Sequence, residues 1–421
     1  MHWLRSFSSS PSLRATFFLV IGGAGFAAAN VLLARVLPPD EFGRVSLCLA
    51  IMQLGLTLGP LGLEVSINRR QLGASKTLLV GSLASGSVIG VVLAVVASHL
   101  YLLSGGLAFW LGVAAAAASI NRVGGAFLQA QHRLGASLFL AQVHNYILLF
   151  VVPVVVLLGS NDSTLVVALV ALGYVATAFA GWLWSLRLKV SRPLPGLGAL
   201  LVESLAGLGI VLAVQVLWQL ERLVVPRMLS MADLGVYAVV ASIAGSPFRM
   251  IQIGIGYTLL PGLRSCRDLR QVRSLLWREG RMVGAAITAS VVVVPGLTLV
   301  IAERFLHGRY EITGMLLAAV VITGLVKVWQ AVASAAVQAF STTTDMFALT
   351  VVSWLGVLAG VGGAVYGSRF GLPGLVFGVG LAWLIVSMAG SMLAVRGIRR
   401  WHQTQTAPIE ARQPPAALNQ D

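Results

Sequence analysis

The stretch LLARVLPPDEFGRVSLCLAI, residues Leu32–Ile51, joins two apolar runs through a short polar turn. A similar stretch, LVVPRMLSMADLGVYAVVAS, recurs at Leu223–Ser242. At an offset of 192 residues, Arg35 matches Arg227, Leu37 matches Leu229, Glu41 matches Asp233 and Gly43 matches Gly235. Self-similarity of this kind indicates that the chain is built from two related halves.

The overall composition indicates that lipid is the main solvent of this chain. Of its 421 residues, 57% are hydrophobic and only 10% are charged, whereas a soluble globular protein carries roughly 25% charged residues. A spanning helix takes about 20 apolar residues. Apolar runs of that length fall near 15–37, 43–66, 77–99, 107–129, 137–158, 165–186, 199–222, 234–261, 282–303, 313–338, 345–367 and 373–396. The sequence therefore predicts an all-α membrane protein with about twelve transmembrane helices, of which the eighth and tenth are long enough to be tilted or broken.

The distribution of lysine and arginine predicts how the chain is oriented. Short cytoplasmic loops of membrane proteins are enriched in both residues. With a cytoplasmic N-terminus, nineteen of the 29 basic residues fall on the cytoplasmic side, six on the opposite side and four within spans. We therefore expect a multi-pass protein of the bacterial inner membrane with both termini in the cytoplasm. The formal net charge of +15 then requires no nucleic-acid partner.

The repeat also predicts how the spans are organised. Six spans in each half give both halves the same orientation, so we expect two six-helix lobes related by a pseudo-two-fold axis along the membrane normal. Transporters built in this way place a substrate cavity between the lobes. The predicted lobes are residues 1–190 and 199–400, joined by a linker at 191–198 whose Pro and Gly residues interrupt the helical pattern. Residues 401–421, rich in Gln, Pro and Ala, are predicted to form a disordered cytoplasmic tail.

The longest predicted cytoplasmic connection is RSCRDLRQVRSLLWREGR, residues Arg264–Arg281. Its spaced Leu and Trp residues favour an amphipathic helix on the membrane surface, next to anionic lipids. The alternative is a basic loop that only fixes the topology.

The sequence gives little support to an enzyme. Loops on the side opposite the cytoplasm are short, and no nucleotide-binding or zinc-protease motif is present. The two cysteines, Cys48 and Cys266, suit neither a disulfide framework nor a metal cluster. We therefore expect a protein that is not an enzyme and that needs no metal or cofactor.

Charged residues inside spans are costly and tend to mark substrate pathways. The cationic candidates are Arg122, Arg222, Arg249 and Lys327. An excess of buried bases predicts an anion-binding cavity, because the guanidinium group of arginine can hold phosphate oxygens bidentately. For Arg222, the alternatives are an ion pair with the adjacent Glu221 or extension to the outer interface.

The acidic candidates are Glu64, Glu203 and Glu221, which could bind a coupling proton or sodium ion. The alternative is a structural role, as a pair of Glu64 with the nearby Arg69 and Arg70 would provide. Smaller polar residues within spans could contact sugar hydroxyls or join helices. They are Asn30, Gln53, Asn121, His144, Asn145, Gln215, Gln219 and Gln252.

The hairpin that begins with LLARVLPPDEFG and ends at the basic pair Arg69–Arg70 resembles the first hairpin of the polysaccharide-biosynthesis flippases. These are the O-antigen and exopolysaccharide exporters of the multidrug/oligosaccharidyl-lipid/polysaccharide exporter superfamily. LERLVVPRMLSMADLGVYAVV, residues Leu220–Val240, resembles their seventh span and the loop that follows. The resemblance extends over essentially the whole chain through helix count, duplication and loop lengths.

This resemblance implies a flippase that moves undecaprenyl-diphosphate-linked oligosaccharide from the cytoplasmic to the periplasmic leaflet for polysaccharide or lipopolysaccharide biosynthesis. It implies alternating access of the two lobes, coupled to a proton or sodium gradient. It also implies membrane lipids, a polysaccharide polymerase and glycosyltransferases as partners. The four cations would hold the diphosphate, although only Arg222 adjoins a family-like motif. The alternatives are a cation-coupled multidrug or metabolite antiporter of the same superfamily, and a lipid II flippase, which commonly has two further spans.

Overall fold

The computed structural model describes residues 11–131, 133–187 and 196–406, which form helices and no strands. The first half contains α1 (Pro11–Val36), α2 (Pro39–Leu58), α3 (Leu63–Arg70), α4 (Lys76–Tyr101), α5 (Gly105–Ala130), α6 (Leu134–Ala141), α7 (Val143–Leu158) and α8 (Ser163–Leu186). The second half contains α9 (Leu197–Met228), α10 (Met231–Ile243), α11 (Ser246–Ser265), α12 (Leu269–Val300), α13 (Gly314–Phe340), α14 (Thr343–Gly367) and α15 (Gly371–Thr406). A turn of π-helix, Ile301–Phe305, extends α12.

Twelve predicted spans correspond to these fifteen helices because three spans are each made of two helices. The second span is α2 with α3, the fifth is α6 with α7, and the eighth is α10 with α11. Between α2 and α3, Pro60 lacks an amide donor and Gly62 has a left-handed φ of 78°, so the helix cannot continue. The α10–α11 pair bends by 56°, as expected for the eighth span, whereas the tenth span is the unbroken helix α13.

Seven of the described helices are long and apolar enough to cross a membrane, and the bent α10–α11 pair makes an eighth by the same criteria. Helices α4 and α12 turn most of their apolar side chains outward. Val88 and Val91 are each 62% exposed, and Val292 is 72% exposed. Large apolar patches of this kind are unfavourable in water but favourable in lipid. The chain is therefore an all-α, multi-pass membrane protein.

The two halves meet where α2 crosses α10, and this contact repeats itself. A methyl group added at Gly43 would overlap the carbonyl oxygen of Met231, and one added at Gly235 would overlap that of Pro39. Pro39 and Met231 are also 192 residues apart, like the two glycines. Each half thus places an equivalent glycine against the equivalent backbone carbonyl of the other half. The contact has the pseudo-two-fold symmetry that the repeat predicts.

Hydrogen bonds surround this crossing at the end of the molecule that holds the α1–α2 and α9–α10 turns, which we call the far end. The Tyr101 hydroxyl donates to the Leu223 carbonyl at 2.9 Å, and the Tyr310 hydroxyl donates to the Ala34 carbonyl at 2.9 Å. A second set of donors is provided by guanidinium groups: Arg227 donates to Leu100 O at 2.7 Å and Arg309 to Arg35 O at 3.1 Å. All four bonds join one half to the other. We call them, together with the Gly43–Gly235 crossing, the far-end seal.

The other end of the molecule, which we call the basic end, carries Arg69 and Arg70 at the end of α3, Arg133 after α5 and Arg267 after α11. The predicted surface helix at Arg264–Arg281 is not a separate element. From Leu269 onward it is the first part of α12, which continues without a break to Val300. An uninterrupted helix satisfies every backbone group across the transition, which a surface helix with a turn would not.

The predicted linker and tail are only partly described. Residues 191–195 of the linker lie outside the described residues, and α9 begins at Leu197. Helix α15 extends to Thr406, six residues into the segment predicted to be disordered. This extension is anchored by Trp401, whose ring lies 5.1 Å from that of Phe340. Residues 407–421 lie outside the described residues.

Candidate functional site

Three of the four predicted cations line one cavity. Arg222 comes from α9, Arg249 from α11 and Lys327 from α13. Phe26 of α1 closes the cavity from the first half of the chain. The cavity has a volume of about 90 Å³.

The break between α10 and α11 explains the position of Arg249. Helix α10 ends at Ile243, and Pro247 lies in the first turn of α11, where its missing amide donor does no harm. Arg249 therefore lies in the first turn of a helix that begins inside the protein. The N-terminus of a helix carries a partial positive charge, which adds to the charge of the guanidinium group.

One carboxylate faces the three cations. Lys327 Nζ donates to Glu221 Oε1 at 2.8 Å, and the Glu221 side chain is only 1% exposed. Arg222 and Arg249 form no ion pair with any described residue. Three positive side chains and one negative side chain leave an excess of two positive charges in the cavity.

Aromatic rings, rather than further acids, face two of these cations. The guanidinium carbon of Arg249 lies 5.7 Å from the centre of the Phe26 ring and 5.8 Å from that of Trp218. Lys327 Nζ lies 6.0 Å from Trp218 and 5.3 Å from Trp383. A cation within about 6 Å of a ring centre is attracted by the ring's electron density. Phe26, Trp218 and Trp383 thus form an aromatic row that holds a cation in each interval.

Several buried polar atoms near the cavity have no hydrogen-bond partner in the described part of the chain. They are Glu221 Oε2, Gln219 Oε1, Gln252 Oε1 and Thr323 Oγ1, all from cavity-lining residues. Buried polar groups in native proteins are almost always paired with protein or with water. In this cavity, water or a polar ligand would complete their hydrogen bonding.

Arg122 does not lie in this cavity, in contrast to the sequence-based expectation for the four cations. Its guanidinium group lies 3.8 Å from Glu64 Oε1, and its side chain is 37% exposed. Glu64 therefore has Arg122 as its partner, whereas the sequence suggested Arg69 and Arg70. Arg69 and Arg70 lie five and six residues after Glu64, so neither has the spacing of three or four that places helical side chains together. The packing of α5 against α3 decided the pairing instead.

The alternative that the sequence left open for Arg222, an ion pair with Glu221, is absent among the described residues. Consecutive helical residues point about 100° apart and do not face each other. Glu221 therefore reaches Lys327 on α13, while Arg222 lines the cavity next to Tyr237. Arg222 does not extend to an outer interface.

Glu203 lies at the basic end and joins the two halves. Its carboxylate accepts a hydrogen bond from Arg70 Nε at 2.6 Å and lies 3.3 Å from a guanidinium nitrogen of Arg69. The hydroxyls of Ser66 and Ser204 meet at 2.9 Å beside this pair. The three acidic candidates thus lie in three different places, and only Glu221 faces the cavity.

The aromatic row is the part of the site that the sequence did not reveal. One signal was present, because Trp218 lies one turn before Arg222 on α9 and so shares its face. Phe26 and Trp383 gave no such signal in a chain where apolar residues dominate. Among the described residues, no group of three metal-ligating side chains comes together.

Solved structures with the same fold include a lipid II flippase, MurJ, in an inward closed conformation. It has a TM-score of 0.65 and 11% identity, covering 93% of this chain and 89% of the other. A MATE transporter in complex with MaL6 gives a TM-score of 0.58 at 16% identity, covering 94% of this chain and 98% of the other. A multidrug resistance MATE transporter of the MOP superfamily, in an outward-facing conformation, gives 0.50 at 15% identity, covering 93% and 96%. These likenesses confirm the predicted fold, with twelve transmembrane helices in two lobes.

At the level of sequence, no protein with a curated function matches the chain. The profile of the family described as polysaccharide biosynthesis protein matches residues 32–303. The match begins at the first copy of the repeated stretch, includes the second and ends within the extension of α12. Because it spans well over half of the sequence, the chain belongs to the polysaccharide biosynthesis protein family.

Proposed function

We propose that this protein is a flippase that moves undecaprenyl-diphosphate-linked oligosaccharide across the bacterial inner membrane by alternating access of its two halves. The basic end would face the cytoplasm and the far end the periplasm. The observation that carries the proposal is the cavity of the second half, closed by Phe26 of the first half, where Arg222, Arg249 and Lys327 face the carboxylate of Glu221.

Electrostatics favours a phosphorylated ligand for this cavity. Uncompensated charge within a membrane protein is costly and is retained where function needs it. A diphosphate diester carries two negative charges, which matches the excess of two positive charges in the cavity. Arginine can contact two phosphate oxygens at once, and lysine adds a compact charge. Membership of a polysaccharide biosynthesis family supports a glycan as the group attached to the phosphates.

The antiporter alternative suits this cavity less well. An exporter of organic cations needs buried acids in its binding site, because an excess of positive charge repels its substrate. The likeness to MATE transporters at 15% and 16% identity concerns the fold alone. The same limit applies to the lipid II flippase at 11% identity.

Coupling to a proton or sodium gradient remains part of the proposal. Glu221 is the best placed of the three acids, because it lies in the cavity and shares a cation with the proposed substrate site. Glu64 and Glu203 are held by arginines elsewhere. A polysaccharide polymerase and glycosyltransferases would act on the same lipid carrier before and after its translocation.

Deletion of the gene tests the function. We expect surface polysaccharide to disappear and lipid-linked oligosaccharide to accumulate in the membrane fraction, and a plasmid copy should reverse both effects. Lipid-linked sugars are extracted and separated by chromatography. Unchanged surface polysaccharide together with a new sensitivity to cationic dyes would instead support the multidrug antiporter.

Labelling of the two natural cysteines tests the proposed orientation. Cys266 lies between α11 and α12 at the basic end, whereas Cys48 is fully buried in α2. A membrane-impermeant maleimide should therefore modify Cys266 in inside-out vesicles and leave intact cells unlabelled. Cys266→Ser is the control and should abolish the signal. Labelling of Cys266 from outside intact cells would mean that the basic end faces the periplasm.

A further inference from the structure

The ring of Trp218 lies within cation–π distance of two cations, Arg249 and Lys327. Arg249 lies 5.8 Å from its centre and Lys327 lies 6.0 Å from it. The two cations come from different helices, α11 and α13, and Trp218 comes from a third, α9. The ring of Trp383 meets that of Trp218 edge-on at 6.0 Å, which limits the freedom of the indole.

An aromatic ring holds a cation without using its hydrogen-bond donors. A carboxylate beside Arg249 would occupy N–H groups of the guanidinium, as Glu221 does for the ammonium of Lys327. A ring face attracts the charge but accepts no strong hydrogen bond. The guanidinium of Arg249, between Phe26 and Trp218, therefore keeps its donors available for a ligand.

The same ring also affects the spacing of the two cations. Both are long side chains with many rotamers, and both lose freedom when they are held. Without the indole, the guanidinium of Arg249 gains space on the side toward Lys327 and Glu221. It could then approach the Glu221 carboxylate, whose Oε2 has no partner among the described residues. That contact would leave the net charge of the cavity unchanged but would occupy hydrogen-bond donors of one of the two guanidinium groups that have no ion-pair partner in the described part of the chain.

We propose that Trp218 is a positioning residue that keeps the guanidinium of Arg249 and the ammonium of Lys327 apart, so that each can bind one phosphate of a diphosphate. This inference rests on the proposed function and concerns how the same cavity distinguishes two adjacent phosphate groups from one. The ring of Trp218 between the two cations would provide the preference for a diphosphate, while Arg249 and Lys327 supply the charge.

Binding of two short-chain probes to the purified full-length protein in nanodiscs tests this role. The probes are farnesyl diphosphate and farnesyl monophosphate, and the variants are Trp218→Leu and Trp218→Phe. We expect the wild type to prefer the diphosphate. Trp218→Leu should reduce that preference by roughly tenfold, corresponding to about 1.4 kcal/mol, and Trp218→Phe, which keeps a ring face, should retain most of it. Trp401→Leu, which removes a ring near the end of α15, is the matched control and should keep the full preference.

The ratio of the two affinities separates positioning from a structural role, because loss of folded protein lowers binding of both probes equally. An unchanged ratio in folded Trp218→Leu would overturn the inference while leaving the proposed function intact. An equal loss in Trp218→Phe and Trp218→Leu would also overturn it, since the ring face would then not matter. Failure of the wild type to bind either probe would reject the proposed function together with this inference.

Discussion

Replacing Arg249 with alanine is expected to reduce glycan export to the level of the deletion strain while leaving the protein in the membrane. Arg249 forms no ion pair with a described residue, so its removal strands no buried acid. What is lost is a charge-assisted contact to phosphate, about 1.5–3 kcal/mol, in a cavity that has only two uncompensated charges. Export is measured as surface polysaccharide and as accumulated lipid-linked oligosaccharide, with the amount of protein determined by immunoblot.

Lys327 needs a second variant, because its removal leaves Glu221 buried without a partner, a strongly destabilising change. We expect Lys327→Ala to abolish export, and the double variant Lys327→Ala/Glu221→Gln to recover the protein level but not export. Arg273→Ala, an exposed arginine on the basic part of α12, should export normally. Wild-type export by Arg249→Ala and by the double variant would refute the phosphate-binding cavity.

The second large effect is expected at the crossing of α2 and α10. Gly43→Ala or Gly235→Ala places a methyl group onto a carbonyl oxygen of the other half, and backbone cannot yield as a side chain can. Either substitution should force the far-end seal open and reduce export at least tenfold. Because the two contacts are copies of each other, the two variants should have similar effects.

Access to the cavity provides the measurement for this prediction. Gln252→Cys, in a background without Cys48 and Cys266, places a thiol in the cavity lining. A membrane-impermeant thiol reagent applied from the far-end side should modify it faster when Gly43 or Gly235 is alanine. Gly284→Ala is the control, since a methyl group there meets open space. Equal rates in all variants would mean that the crossing does not close the far end.

The sequence predicted the spans and the symmetry well because both depend on features that can be read along the chain. Apolar runs of spanning length reflect the thickness of the bilayer. The offset of 192 that relates Gly43 to Gly235 also relates Pro39 to Met231, and these four residues form the crossing. The division of spans into two helices was harder to predict, since Pro and Gly are also common inside unbroken transmembrane helices. Pro295, within α12, is an example.

The site was predicted less completely for a different physical reason. Position in the sequence gives the depth of a residue along a helix, but the direction of its side chain depends on which neighbours pack around that helix. Arg122 and Arg222 are both cations within long apolar helices, yet only Arg222 faces the cavity. Polar faces guide such predictions in soluble proteins, whereas a helix that is apolar on every side gives no such guide. The partner of Glu221, 106 residues away on α13, was likewise beyond the reach of local patterns.

The reciprocal form of the far-end seal has a consequence for how the two halves can separate. Gly43 and Gly235 each lie close against the backbone of the other half, which the absence of a side chain allows. Separating α2 from α10 therefore breaks both contacts in the same movement. In a flippase of the proposed kind, opening of the far end would then require both copies of this contact to part.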